Sequence, residues 1–132
     1  MKWVVTLVFD QNGRIEDRVL KIVEYLTNDF SIDRIEILNI DATGTLGNKY
    51  THILNEKHRF FIPKDDLISL LKEDGQLIDF EARLSLAQNF YSIIISDGNI
   101  VDVVSDFNRL PNQIIGSFID EDPAHFFEED AL

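Results

Sequence analysis

The dipeptide Asp97-Gly98 stands between two runs of β-forming residues, Phe90 to Ser96 and Asn99 to Ser105. A two-residue hairpin turn needs positive φ at both central residues, and Asp-Gly is a favoured pair for it. These residues therefore predict an antiparallel hairpin. Just upstream, Ile78, Phe80, Ala82, Leu84 and Leu86 alternate with Asp79, Glu81, Arg83 and Ser85. That period of two reads as a strand with one buried and one wet face. Three successive strands are thus expected, and whatever else the chain does must accommodate them.

The remaining elements follow from the same periodicities. Lys2 to Phe9 is rich in Val and almost wholly apolar, as in a strand covered on both faces. Ile15, Val19, Ile22, Val23 and Leu26 recur at helical spacing after the turn signal Asn12-Gly13. Ile32 to Ile40 reads as a partly exposed strand. Ala42 to Lys49, with Gly44 and Gly47, reads as a loop, and Thr51 to Ile62 as a third strand ended by Pro63. Leu67, Ile68, Leu70 and Leu71 predict a short helix, with Asp65 and Asp66 at its positive end and Gly75 at its stop. Beyond Pro111, Ile114, Ile115, Phe118 and Ile119 have the spacing of a short helix. A last helical segment is expected to start with Asp122 as N-cap and Pro123 at the first helical position.

The expected fold is therefore α+β: an antiparallel or mixed sheet with two main helices on one face. Its first six elements match the split βαβ, ferredoxin-like βαββαβ order, extended by the C-terminal hairpin and a short helical tail. A cystatin-like wrap of a curved sheet is the competing topology, in which the last three strands form a separate meander. The chain reads as a single domain over 1–132, with 120–132 as a flexible or helical acidic tail.

Composition narrows the function. The chain of 132 residues has a net charge of -12 and no cysteine, which excludes disulfides, thiolate nucleophiles and thiolate metal sites. Residues 1–66 hold nine Lys and Arg against eleven Asp and Glu, whereas 67–132 hold three against thirteen. Such a chain repels phosphates and anionic membranes and attracts basic partners. The longest apolar run, Trp3 to Phe9 interrupted by Thr6, falls far short of the roughly 20 residues of a transmembrane helix. It also lacks the flanks of a signal peptide, so a cytoplasmic location is expected.

Motifs for chemistry are weak. Asp10 follows the first strand without a second carboxylate at fixed spacing, and serves equally well as a turn or helix cap. Gly44-Thr45-Leu46-Gly47-Asn48-Lys49 invites comparison with a phosphate-binding loop but lacks the Gly-Lys-Ser/Thr end, and a strand is expected after it. His52 and His58 on one strand would lie about 20 Å apart, too far to share a metal. His125 with Glu128 and Glu129 has helical spacing, a pattern common on surface helices without metal. Asp79 and Glu81 share a strand face with Arg83, which reads as a cross-strand salt ladder. The basic cluster Lys49, Lys57, His58, Arg59 and Lys64 is expected to pair with the chain's own acidic end. No catalytic, cofactor or metal-ligating residue is assigned, and no cofactor is expected.

What remains is the acidic C-terminal half. The sequence reading is a protein-binding module that neutralises a basic partner, most concretely an immunity protein or antitoxin-type inhibitor of a nuclease-like toxin. Asp102, Asp106, Asp120, Glu121, Asp122, Glu128, Glu129 and Asp130 would supply carboxylates, with Phe126 and Phe127 as aromatic anchors. The alternative is a small ligand-binding or regulatory domain, or an enzyme whose site is assembled from residues distant in sequence. An apolar cavity among inward residues would favour that alternative; a flat acidic patch over a solid core would favour the first reading.

Overall fold

The turn at Asp97-Gly98 forms as its residues require, with φ of 54° at Asp97 and 71° at Gly98 and the Asn99 N–H donating to the Ser96 carbonyl. A computed structural model of the chain describes residues 2–8, 14–106, 110, 111, 114 and 126–131. The elements in chain order are β1 (Lys2–Val8), α1 (Ile15–Asp29), β2 (Arg34–Ala42), α2 (Thr45–Lys57), β3 (Phe60–Phe61), α3 (Lys64–Lys72), β4 (Leu77–Leu86), β5 (Asn89–Ser96), β6 (Ile100–Ser105) and β7 (Phe126–Ala131). The seven strands form one sheet in the order β3-β2-β4-β5-β6-β1-β7, and every neighbouring pair is antiparallel.

The α+β class with an antiparallel sheet is thus observed, but the strand order is not the ferredoxin-like one. Two short turns make β4, β5 and β6 consecutive neighbours, and this meander inserts itself between β2 and β1. The first and second strands consequently run in the same direction, three strands apart, and α1 joins them. Residues 126–131 pair with β1 as a strand, where a helical tail was expected. Extended backbone suits the Phe126-Phe127 pair, and the partner edge of β1 supplies hydrogen bonds that an isolated short helix would lack.

One face of the sheet carries the core. Ile35, Ile37 and Ile40 of β2 lie beside Leu84, Ala82 and Phe80 of β4, which lie beside Tyr91, Ile93 and Ile95 of β5. Against this face pack Val19, Ile22, Val23 and Leu26 of α1 and Leu67, Leu70 and Leu71 of α3, all in one apolar cluster. The spacing that predicted α1 is the spacing of its buried side chains. Thr27 is buried among them because its hydroxyl donates to the Val23 carbonyl at 2.8 Å.

The larger departure is at residues 45–57, which form α2 where a loop and a strand were expected. Leu46, Tyr50, Ile53 and Leu54 have helical spacing, and Tyr50 is buried with its ring stacked on Phe60. Gly44, at φ 93°, provides the entry, and Gly47 fits against Ala42, whose side chain would lie 2.9 Å from a Cβ there. The glycines that suggested a loop are a helix entry and a close packing contact. Only Phe60–Phe61 remains of the third predicted strand.

Candidate functional site: the outer face of the sheet

Alternation along β4 sends Asp79, Glu81, Arg83 and Ser85 to the face opposite the core. Strand register then decides which residues they meet. Asp79 stands opposite Asp41 of β2, Glu81 opposite Asn39, and Arg83 opposite Glu36. On the other side Glu81 faces Ile94 of β5, which in turn faces Asp102 of β6. Asp102 is opposite Thr6 of β1, and its carboxylate accepts the Thr6 hydroxyl at 2.5 Å. Acidic positions therefore occur on this face in β2, β4 and β6, with Ile94 of β5 standing between Glu81 and Asp102.

The two ends of this face differ. At the Arg83 end, Arg59 donates two hydrogen bonds of 2.8 Å to the Glu36 carboxylate, while the Arg83 guanidinium lies 4.5 Å from the Phe90 ring centroid. Hydrogen bonding from Arg59, aided by the charges of Arg59, Arg83 and Arg34 and opposed by burial, holds the Glu36 carboxyl below its ordinary range. The ion pair on this face is Arg59–Glu36, in place of the ladder of Asp79, Glu81 and Arg83 that was expected. At the other end no ion pair reaches Asp41, Asp79 or Glu81 among the described residues. The backbone N–H of Asp97 donates to Asp79 at 3.3 Å. Like charges directly opposite in neighbouring strands are destabilising, so this end carries local repulsion.

Several residues singled out in the sequence have other positions or structural work. Asp106 accepts the Phe90 N–H at 2.9 Å and fastens the start of β5 beside the end of β6. Phe126, Phe127, Glu128, Glu129 and Asp130 lie in β7 at the sheet edge, opposite Leu7, Thr6, Val5, Val4 and Trp3. Asp120, Glu121, Asp122, His125 and Asp10 lie outside the described residues. Arg59 pairs with Glu36 of the neighbouring strand, in place of the expected C-terminal acids, because β3 sits at the opposite edge of the sheet from β7.

The glycine-rich segment 44–49 does open a helix with backbone N–H groups directed at an anion, and that anion is the chain's own Glu73. Its two carboxylate oxygens accept the N–H groups of Leu46 at 2.9 Å and Gly47 at 2.8 Å. The Glu73 and Gly75 carbonyls accept hydrogen bonds from Arg14, and buried Glu16 accepts the Leu77 N–H at 2.8 Å. This junction ties the starts of α1, α2 and β4 together. His52 and His58 belong to α2 and its C-terminal cap, so the extended-strand argument about their separation does not apply. Among the described residues no group of three or more His, Asp or Glu side chains is arranged to hold a metal ion.

In the core beneath the outer face Val19, Leu26, Ile37, Leu67, Leu84 and Ile93 have no exposed surface. Among the described residues a groove opens beside β3 and another along the last turns of α1. Among the described residues no helix is long and apolar enough to cross a membrane. Comparison with protein-family models, with curated proteins and with solved structures finds no match to this chain.

The sequence reading missed Asp41 as a binding candidate and left Asp79 and Glu81 to a salt ladder. The period-two pattern already placed Asp79 and Glu81 on the wet face. Their juxtaposition with Asp41 depends on the β2–β4 register, which includes irregularities between Ile37 and Asn39 and between Asp41 and Ala42.

Proposed function

We propose that this protein is a binding module whose acidic outer sheet face recognises a basic protein. The observation that carries this reading is the Asp41–Asp79 opposition with Glu81 alongside, carboxylates that make no ion pair among the described residues, although the charge of Glu81 acts on Arg59. A partner's lysines or arginines would remove that repulsion and gain paired charge. Asp102 adds an acidic position in β6, and β7, beyond β1, carries Glu128, Glu129 and Asp130.

The most concrete form of the proposal is an immunity protein or antitoxin-type inhibitor of a nuclease-like toxin, acting as one domain in the cytoplasm. Nuclease sites are lined by Lys and Arg that bind phosphates, and carboxylates on a rigid sheet can take the places of those phosphates. A net charge of -12 adds long-range attraction that speeds encounter.

The test is affinity capture from the native cell's lysate at low and raised salt, comparing the natural chain with Asp41→Asn/Asp79→Asn/Glu81→Gln. A basic protein captured by the natural chain, released by salt and missed by the variant is the expected result. Equal capture by both chains would remove this face from the proposal.

A further inference from the structure

The far edge of the sheet has a different character. Phe61 in β3 is 64% exposed and is the exposed large hydrophobic side chain among the described residues. Beside it an open groove of about 400 Å³ is lined by Asp33, Arg34, Ile35, Phe61, Ile62 and Pro63. A protruding aromatic ring and an adjoining groove on one surface are what a self-complementary contact requires. Such a contact repeats when two copies meet about a twofold axis.

Charge selects the occupant. Segments 33–36 and 57–66 contain Arg34, Lys57, Arg59 and Lys64 against Asp33, Glu36, Asp65 and Asp66, and so carry no net charge. The whole formal charge of -12 lies elsewhere in the chain. Two copies approaching through their acidic faces would repel strongly, whereas approach through β3 places neutral, mixed-sign surfaces together and keeps the acidic faces apart. The opposite edge strand, β7, bears Glu128, Glu129 and Asp130, the kind of charged edge that discourages strand addition.

We infer that the β3 edge is a self-association surface, on which Phe61 of each copy enters the groove beside Phe61 of the other. β3 has two residues and is followed at once by Ile62 and Pro63, so backbone pairing across the edge is limited. The contact is made by side chains and closes as a dimer without propagating into a fibre. It is separate from the acidic face, so the dimer presents two such faces.

Sedimentation equilibrium over a wide range of concentration tests this on the full chain. The weight-average mass should climb from 15.2 kDa toward twice that value. Added salt should strengthen association by screening the repulsion between copies, the opposite of its effect on binding a basic partner. Phe61→Asp should weaken association by about tenfold or more, because it replaces an aromatic ring buried in the dimer with a charge that repels its counterpart in the other copy. Phe61→Ser should weaken it less, with both variants keeping the natural far-UV circular dichroism and unfolding midpoint. A monomer at every concentration and salt, or a dimer that Phe61→Asp leaves undiminished, would overturn the inference. Neither result would bear on capture of a basic partner.

Discussion

Replacing Glu73 by Ala removes the group that completes the start of α2. Gly44 supplies no side-chain cap, so the N–H groups of Leu46 and Gly47 depend on the Glu73 oxygens at 2.9 and 2.8 Å. A lost N-terminal cap costs about 0.5–2 kcal/mol, and loss of a carboxylate at the positive helix end adds about 0.3–1 kcal/mol. For the half-buried Glu73 the expected destabilisation is about 2 kcal/mol, which for a chain of this size lowers the unfolding midpoint by roughly 8 °C. Urea unfolding should show a lower midpoint at unchanged slope, and amide exchange should accelerate first in Leu46 to Tyr50. Added acetate, compared with chloride at equal ionic strength, should restore part of the loss by binding the vacated N–H groups, and should do little for the natural chain. A variant as stable as the natural chain, or one whose loss leaves α2 exchange unchanged, would refute the assignment of Glu73 as the internal anion of this helix.

Other outcomes follow from the same structure. A Cβ at Gly75 would lie 2.4 Å from the Thr43 carbonyl oxygen, so Gly75→Ala should destabilise by about 1–3 kcal/mol in chemical unfolding. Burial is the main cause that raises the Tyr91 phenol to about 12, against a hydrogen bond to Ser105 that lowers it. Because the folded value lies above the unfolded one, this stabilisation is complete below about pH 10 and is lost as pH rises toward 12. Tyrosinate absorbance should therefore show Tyr91 ionising together with alkaline unfolding, and a Tyr91→Phe variant should lack that step. The lowered Glu36 value has the opposite sign: its pairing with Arg59 stabilises above the ordinary carboxylate range and is lost as pH falls through the folded value. The stability difference between the natural chain and Glu36→Gln should thus shrink on acidification, and a difference that grows would contradict the pairing.

Local pattern was legible where one periodicity dominated. The alternation of Ile78 to Leu86, the helical spacing of Ile15 to Leu26 and the Asp97-Gly98 turn all appear as β4, α1 and the β5–β6 hairpin. At residues 45–57 two local signals conflict: Gly44 and Gly47 point to a loop, whereas Leu46, Tyr50, Ile53 and Leu54 have helical spacing. Tertiary contact resolves that conflict: Tyr50 stacks on Phe60, and Glu73 completes the helix from 26 residues away. Neither contact has a local signature. The outer face shows the same limit, since the wet positions of β4 were visible whereas Asp41 reached Asp79 only through strand register.

Under the two proposals the acidic positions of the outer face and the neutral β3 edge would serve opposite kinds of contact. Carboxylates at Asp41 and Asp79 stand opposite each other and repel, and under the proposed function cations from another protein would relieve them. Neutralising them should therefore leave the fold at least as stable while removing the proposed binding. Natural binding surfaces commonly retain residues that are unfavourable for the isolated chain.

The most direct test of the acidic-face proposal is a magnetic resonance titration of the isotope-labelled chain with a short lysine-rich peptide at low salt. The account predicts amide shifts concentrated at Asp41, Asp79, Glu81 and Asp102, suppressed by added salt and by the Asp41→Asn/Asp79→Asn/Glu81→Gln changes. Shifts spread evenly over the acidic surface, or centred on the β3 edge, would contradict it.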